Sequence, residues 1–187
     1  MENYTDKIMS ETMKRSRAVK WSSIAGVLAV VWMCVIFSFS AQTKEESSVV
    51  SEGLSYRMVS TTGLLFRLHI DEEQIREIAG AIERSVRKCA HMAEFAILGW
   101  LLYGWLCGRQ LTRLRRACVA AGLAILYACS DEIHQLFVKG RSGKISDVAI
   151  DSMGVVLGMV FLLLAERFFK WRRRRRQHRK GDRMQSV

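Results

Sequence analysis

Residues 21–41 read WSSIAGVLAVVWMCVIFSFSA and contain no charged side chain. A helix needs about 20 mostly apolar residues to cross the hydrocarbon core of a bilayer, so this stretch is long enough to span a membrane. The apolar core of a secretory signal peptide is shorter, roughly 7–15 residues. We therefore expect residues 21–41 to form a transmembrane helix that is retained.

Three further apolar blocks follow, at about residues 90–107, 117–138 and 148–169. Each reaches spanning length when the polar residues at one end are included. The charged residues, 25% of the chain, gather between the blocks instead of recurring within them at helical or strand period. The chain has no proline, which favours helices over a strand-rich fold. The sequence thus predicts an all-α polytopic membrane protein with four transmembrane helices.

Lysine and arginine indicate the orientation of these helices, because short cytoplasmic segments carry an excess of both. The basic segments are residues 1–20, the link 108–116 and the tail 170–187. Four crossings place all three on the same side. We expect a basic cytoplasmic N-terminus (1–20), a multi-pass domain in the cell membrane (21–169) and a polybasic cytoplasmic tail (170–187).

The first loop, predicted to lie outside, is amphipathic. Asp71 is a candidate N-cap, with Gln74 three residues later as its capping-box partner. From Ile75 to Val86, apolar residues recur at helical spacing. We expect one or two amphipathic interfacial helices on the outer membrane surface or against the bundle.

Two other features of composition have simple interpretations. The five cysteines lie in or beside apolar blocks, are odd in number and form no C-x-x-C pair, so we interpret them as packing residues. Five consecutive arginines, 172–176, follow the last block directly, which favours contact with anionic membrane lipids. Few aromatic residues interleave with them to stack bases, so we expect no nucleic-acid partner.

Polar side chains from four separate segments converge on one end of the predicted bundle. Carboxylates at membrane depth are costly and usually pair or line a wet cavity, so we predict an outward-facing polar pocket. Asp147 and Asp151 share a helix face with Gly154 and Gly158, at a small-residue spacing that lets helices pack closely. The candidate binding residues are Gln42, Arg87, Lys88, His91, Glu94, Asp131, Glu132, His134, Gln135, Arg141, Asp147 and Asp151.

Four motifs carry a resemblance to a known family. They are FSFSAQ (37–42), RKCAHMAEFAILG (87–99), SDEIHQ (130–135) and the series from Arg141 through Asp147 to Asp151. In order and spacing they resemble the VanZ-like family over roughly residues 25–165, although Phe95 stands where the family often carries tyrosine. The resemblance implies a small bacterial envelope protein and a link with glycopeptide (teicoplanin-type) resistance. It implies no established reaction.

The polar cluster admits four interpretations. Its charges could pair to lock the bundle, or His91 or a carboxylate could act in general acid–base catalysis. Its nitrogen and oxygen ligands could hold a metal, but there is no H-E-x-x-H motif and Arg87 and Arg141 would repel a cation, so we assign no metal and no cofactor. Its arginines could instead hold the phosphate or carboxylate of a ligand.

These interpretations lead to different functions. The binding hypothesis implies a lipid-linked cell-wall precursor or a glycopeptide-type ligand as the partner. The alternatives are an outer-leaflet enzyme acting on a lipid-linked substrate, or a small transporter or accessory subunit. No catalytic residue can be assigned from the sequence.

Reporter fusions test the predicted topology. Fusions after residues 60 and 140 should report an extracytoplasmic position, and fusions after residues 112 and 187 a cytoplasmic one, because the basic segments stay inside. A cytoplasmic signal at residue 60 would overturn the orientation.

Overall fold

The computed structural model describes residues 2–185, although not every side chain in the two terminal segments. Helices form nearly all of this part of the chain, and it contains no strand. The helices are α1 (Glu2–Ser40), α2 (Lys44–Leu65), α3 (Glu72–Trp105), α4 (Arg113–Gln135) and α5 (Ile145–Gln185), with a 3₁₀ turn (Leu106–Gly108) after α3. The predicted all-α fold is confirmed.

Four helical segments are long and apolar enough to cross a membrane. They are Ser16–Ser40, Glu72–Gly108, Arg113–Gln135 and Ile145–Arg176. The second has 37 residues. At 1.5 Å per residue its length is about 55 Å, well beyond the roughly 30 Å of a hydrocarbon core. Part of α3 must therefore project beyond the hydrocarbon core of the membrane.

The amphipathic first loop folds back on this projecting part of α3. Helix α2 is a separate helix, within the one or two predicted for this loop. The amphipathic stretch from Ile75 to Val86 does not form a separate helix. It is part of α3, which runs unbroken from Glu72 through residue 90, where the sequence placed the start of the second span. Val59 of α2 and Ala79 of α3 are both buried, and the two segments form a helical hairpin.

Local capping explains where the two helices of the hairpin begin. The predicted capping box of α3 is confirmed: Asp71 accepts from the backbone N–H of Gln74, whose side chain accepts from the backbone N–H of Asp71. Helix α2 begins with a second capping box, formed by Thr43 and Glu46. Hydrogen bonds from the Thr43 backbone and hydroxyl lower the pKa of the Glu46 carboxyl below its ordinary value.

Helix α3 is the centre of the bundle and packs against each of the other four helices. Its closest neighbour is α5, where a Cβ added at Gly154 would overlap the backbone carbonyl of Met92 and lie 2.7 Å from its Cα. One turn later, a Cβ at Gly158 would lie 2.7 Å from the Cβ of Ala96. The close packing expected from Gly154 and Gly158 is confirmed.

Helix α4 completes the core with a stripe of buried alanines, and α1 attaches through buried apolar residues and polar side chains. The alanines are Ala117, Ala120, Ala124 and Ala128. On α1, Trp32 Nε1 donates to the Glu94 carbonyl at 2.9 Å, and the Ser22 hydroxyl donates to the Trp105 carbonyl. Tyr127 of α4 donates to the Met33 carbonyl at 2.7 Å. These contacts hold α1 against α3 and α4.

The substitution Gly154→Ala tests the contact between α3 and α5. The added methyl group meets backbone atoms that cannot rotate away, so we expect a loss of about 1–3 kcal/mol of stability, as for an overpacked core. Thermal unfolding in detergent measures the change. The matched control is Gly122→Ala on α4, where an added Cβ meets nothing within 4 Å. Equal unfolding temperatures for the two variants would contradict the assigned contact.

Candidate functional site

A cavity of about 480 Å³ lies at the end of the bundle where α1 and α4 end and α5 begins. Helices α2, α3, α4 and α5 and the loop between α4 and α5 all contribute to its wall. Eight of the twelve predicted site residues line it: Arg87, Lys88, His91, Glu132, Gln135, Arg141, Asp147 and Asp151. The expected convergence of polar side chains thus corresponds to a single space, which we call the polar cavity.

The other four predicted residues, Gln42, Glu94, Asp131 and His134, are not part of its wall. Glu94 lies behind His91, with its Oε2 3.3 Å from His91 Nδ1, close enough for an ion pair although the two atoms are not aligned for a hydrogen bond. His134 stacks on Phe37 of α1, with ring centroids 4.3 Å apart. Glu94 therefore lies next to a residue of the cavity wall, whereas His134 packs against α1.

Asp131 joins α1 to α4. Its Oδ2 accepts from the Ser40 hydroxyl at 2.6 Å and from the Gln135 amide at 3.1 Å. Asp131 is 3% exposed and Ser40 is fully buried. This arrangement fits a structural role, because the carboxylate holds the end of α1 and is shielded from the polar cavity.

Arg87 serves mainly to dock α2. Its guanidinium pairs with Glu83 one turn earlier on α3 and donates to Ser51 Oγ at 3.0 Å and Ser48 Oγ at 2.9 Å on α2. Ser51 in turn donates to Glu83 at 2.6 Å. The arginine borders the polar cavity, but its hydrogen bonds hold the hairpin against the bundle.

Arg141 is held in the loop between α4 and α5. Its Nη2 donates to the Phe39 carbonyl at the end of α1, at 3.2 Å. Partial burial lowers the pKa of the Arg141 guanidinium from its ordinary value. Gly140 has a φ of +76°, which an L side chain rarely adopts, and a Cβ at Gly143 would lie 2.7 Å from the Glu132 carbonyl. Both glycines let the loop fold tightly, which positions Arg141 at the cavity.

Several lining residues were not predicted from the sequence. They are Lys44, Ser47, Arg84, Gly140, Ser142, Lys144, Ser146 and Ile150. Lys44 and Arg84 belong to the hairpin, and the sequence left open whether this segment lies on the membrane surface or against the bundle. Lys144 immediately precedes α5 and Ser146 lies in its first turn, and their nearness in sequence to Asp147 was the one available signal.

The charge of the wall is unbalanced. Six basic side chains line it: Lys44, Arg84, Arg87, Lys88, Arg141 and Lys144. The acidic ones are Glu132, Asp147 and Asp151. In the part of the chain that the structure describes, no three histidine, cysteine or carboxylate side chains are grouped closely enough to hold a metal ion.

Residues 25–166 match the VanZ/LLP1 family. The chain belongs to this family. With the four apolar helices, the match makes it a VanZ-like multi-pass membrane protein. No curated protein and no solved structure matches the chain. Phe95, where the family often carries tyrosine, lies in the core. Its ring is fully buried, 6.2 Å from the ring of Tyr127, and a tyrosine hydroxyl at this position would need a hydrogen-bond partner.

The pair Asp131→Ala and Asp151→Ala separates the structural carboxylate from the one in the cavity wall. Loss of Asp131 leaves the Ser40 hydroxyl and the Gln135 amide without their acceptor, which costs about 1–3 kcal/mol. We expect less folded protein in the membrane and a lower unfolding temperature for Asp131→Ala. Asp151→Ala should accumulate normally. The reverse order of membrane levels would contradict these roles.

Proposed function

We propose that this VanZ/LLP1 protein is a bacterial envelope protein with both termini in the cytoplasm and the polar cavity facing outward. In this proposal the cavity binds the phosphate of a lipid-linked cell-wall precursor. By holding the precursor, the protein changes how the cell surface meets glycopeptide compounds of the teicoplanin type.

One observation carries the proposal: four of the six basic side chains around the polar cavity form no ion pair within the described residues. Within the described residues, Lys44, Arg84 and Lys144 form no ion pair, and Arg141 donates only to a backbone carbonyl. Cations gathered in this way repel one another, and an anion among them relieves that repulsion. A phosphate suits the site, because a guanidinium can donate two parallel hydrogen bonds to it.

The position of the cavity supports a ligand attached to a lipid. The cavity lies where the apolar stretches of α1, α3, α4 and α5 give way to polar residues, the level at which lipid head groups lie. Below it, α1 and α5 expose large apolar side chains such as Val27, Val31 and Phe161. A phosphate could enter the cavity while its lipid chain stays in the bilayer.

An outer-leaflet enzyme is the second candidate, and one contact favours it. His91 lines the polar cavity and lies 3.3 Å from Glu94, which stands behind it. A histidine with a carboxylate behind it can accept a proton at a reacting group and release it later. His91→Gln separates the candidates, because it would abolish proton transfer but leave the cations that bind phosphate in place.

Arg141→Gln tests the proposed function. This substitution removes the half-buried cation and leaves the loop glycines unchanged, so the protein should reach normal membrane levels and lose most of its phenotype. The measurement is survival of a sensitive bacterial host under a glycopeptide, with the protein level followed in the same cells. Lys139→Gln is the control, because Lys139 is exposed in the same loop but does not line the cavity.

Full survival with Arg141→Gln at normal protein level would remove the cavity from the mechanism. Loss of survival with both Arg141→Gln and Lys139→Gln would show that only the overall charge of the loop matters.

A further inference from the structure

Asp151 stands apart from the other carboxylates of the polar cavity. It is 3% exposed and lines the cavity, yet it forms no hydrogen bond or ion pair with any residue that the structure describes. Glu132 accepts from the Lys144 backbone N–H at 3.0 Å. Asp147 lies 4.0 Å from the Lys88 ammonium and 3.4 Å from the Ser146 hydroxyl.

The fold holds the Asp151 side chain in place. Asp151 precedes Gly154 by three residues, so both lie on the face of α5 that packs against α3. The contact between Gly154 and the Met92 backbone fixes the rotation of α5 at this level. This packing keeps Asp151 on the side of α5 that faces α3, where its side chain lines the cavity.

A buried carboxylate is costly without a partner, and the cost falls when a donor is supplied. Within the described residues no group donates a hydrogen bond to Asp151, although the charge of His91 acts on it, so a donor carried by a ligand in the cavity would lower this cost. A primary ammonium group fits this requirement best, because it brings a compact positive charge and three N–H donors.

The rest of the wall argues against a quaternary ammonium. Proteins recognise that group with aromatic faces, since it has no N–H to donate. The lining described for the cavity contains no tryptophan, tyrosine or phenylalanine. Its only apolar member is Ile150, and the remainder are polar or charged side chains and one glycine.

We infer that the polar cavity recognises an aminophosphate: a ligand whose phosphate lies among the basic side chains and whose primary amine binds Asp151. This inference rests on the proposed phosphate-binding function and names its ligand class. The ligand could be an amine-bearing phospholipid or lipid-linked precursor, or a free aminophosphate, since the two groups that the site contacts are the same.

Calorimetric titration of the purified full chain in detergent tests the inference with three soluble probes. These are O-phosphoethanolamine, phosphocholine and inorganic phosphate. We expect O-phosphoethanolamine to bind at least tenfold more tightly than the other two. Asp151→Asn should remove this margin without weakening phosphate binding, and Arg141→Gln should weaken all three. Glu166→Gln, a matched carboxylate-to-amide change on α5 outside the cavity, should behave like the wild type.

The lipid source is tested in nanodiscs that contain phosphatidylethanolamine or phosphatidylcholine. The protein is then released from the nanodiscs with its bound lipids for native mass spectrometry. We expect the wild type to retain phosphatidylethanolamine and Asp151→Asn to lose it. Retention without binding of soluble O-phosphoethanolamine would support the inference with a lipid as ligand, and the reverse would support a free aminophosphate. Asp151→Ser serves as a second variant, and unfolding temperatures confirm that both variants are folded.

Two results would overturn the inference. One is equal affinity of the wild type for all three soluble probes together with equal retention of the two lipids. The other is an amine preference that persists in Asp151→Asn and Asp151→Ser. Phosphate binding that survives in either case would leave the proposed function intact. If neither soluble phosphate nor phospholipid binds the wild type, the proposed function itself fails.

Discussion

The contact between α3 and α5 is the constraint on which the rest of the structure depends. At Gly154 and Gly158 the two helices approach so closely that a methyl group would overlap Met92 or Ala96. Lipid chains are as apolar as the side chains they surround, so helices in a bilayer gain little from the hydrophobic effect and rely on such close packing. The contact also fixes the rotation of α5, which places Asp151 and Asp147 at the cavity.

The hairpin depends on the same helix. Because α3 continues without a break beyond the bundle, its N-terminal half gives α2 a surface on which to dock. Arg87, Glu83 and Ser51 form the polar part of this contact, and Val59 and Ala79 the apolar part. The hairpin brings Lys44 and Arg84 to the polar cavity. One helix thus contributes to the membrane bundle, to the wall of the cavity and to the part that covers it.

Hydropathy and capping patterns were enough to predict the fold class, the four apolar helices and the start of α3 at Asp71. They could not show that α3 is continuous, because hydropathy marks only its apolar half and no residue marks a break. For a similar reason, the sequence could not show which of the predicted polar residues face the cavity. The sequence placed Asp131 and Asp151 at the same end of the bundle, but which of them faces the cavity depends on the rotation of each helix about its axis. That rotation is set by contacts such as Gly154 with Met92, between residues far apart in the chain.

The attachment of α1 has a consequence for how the protein assembles. Helix α1 packs on α3 through apolar residues such as Ile36, and side chains that donate to backbone carbonyls, as those of Ser22, Trp32 and Tyr127 do, fix its position. In hydrocarbon no water competes for those carbonyls. Helix α1 can therefore insert as an independent span and meet a three-helix unit that is already folded. Each side-chain donor then gains a backbone carbonyl held at a fixed position in place of a weaker hydrogen-bond partner. Lateral docking of α1 within the bilayer thus completes the bundle.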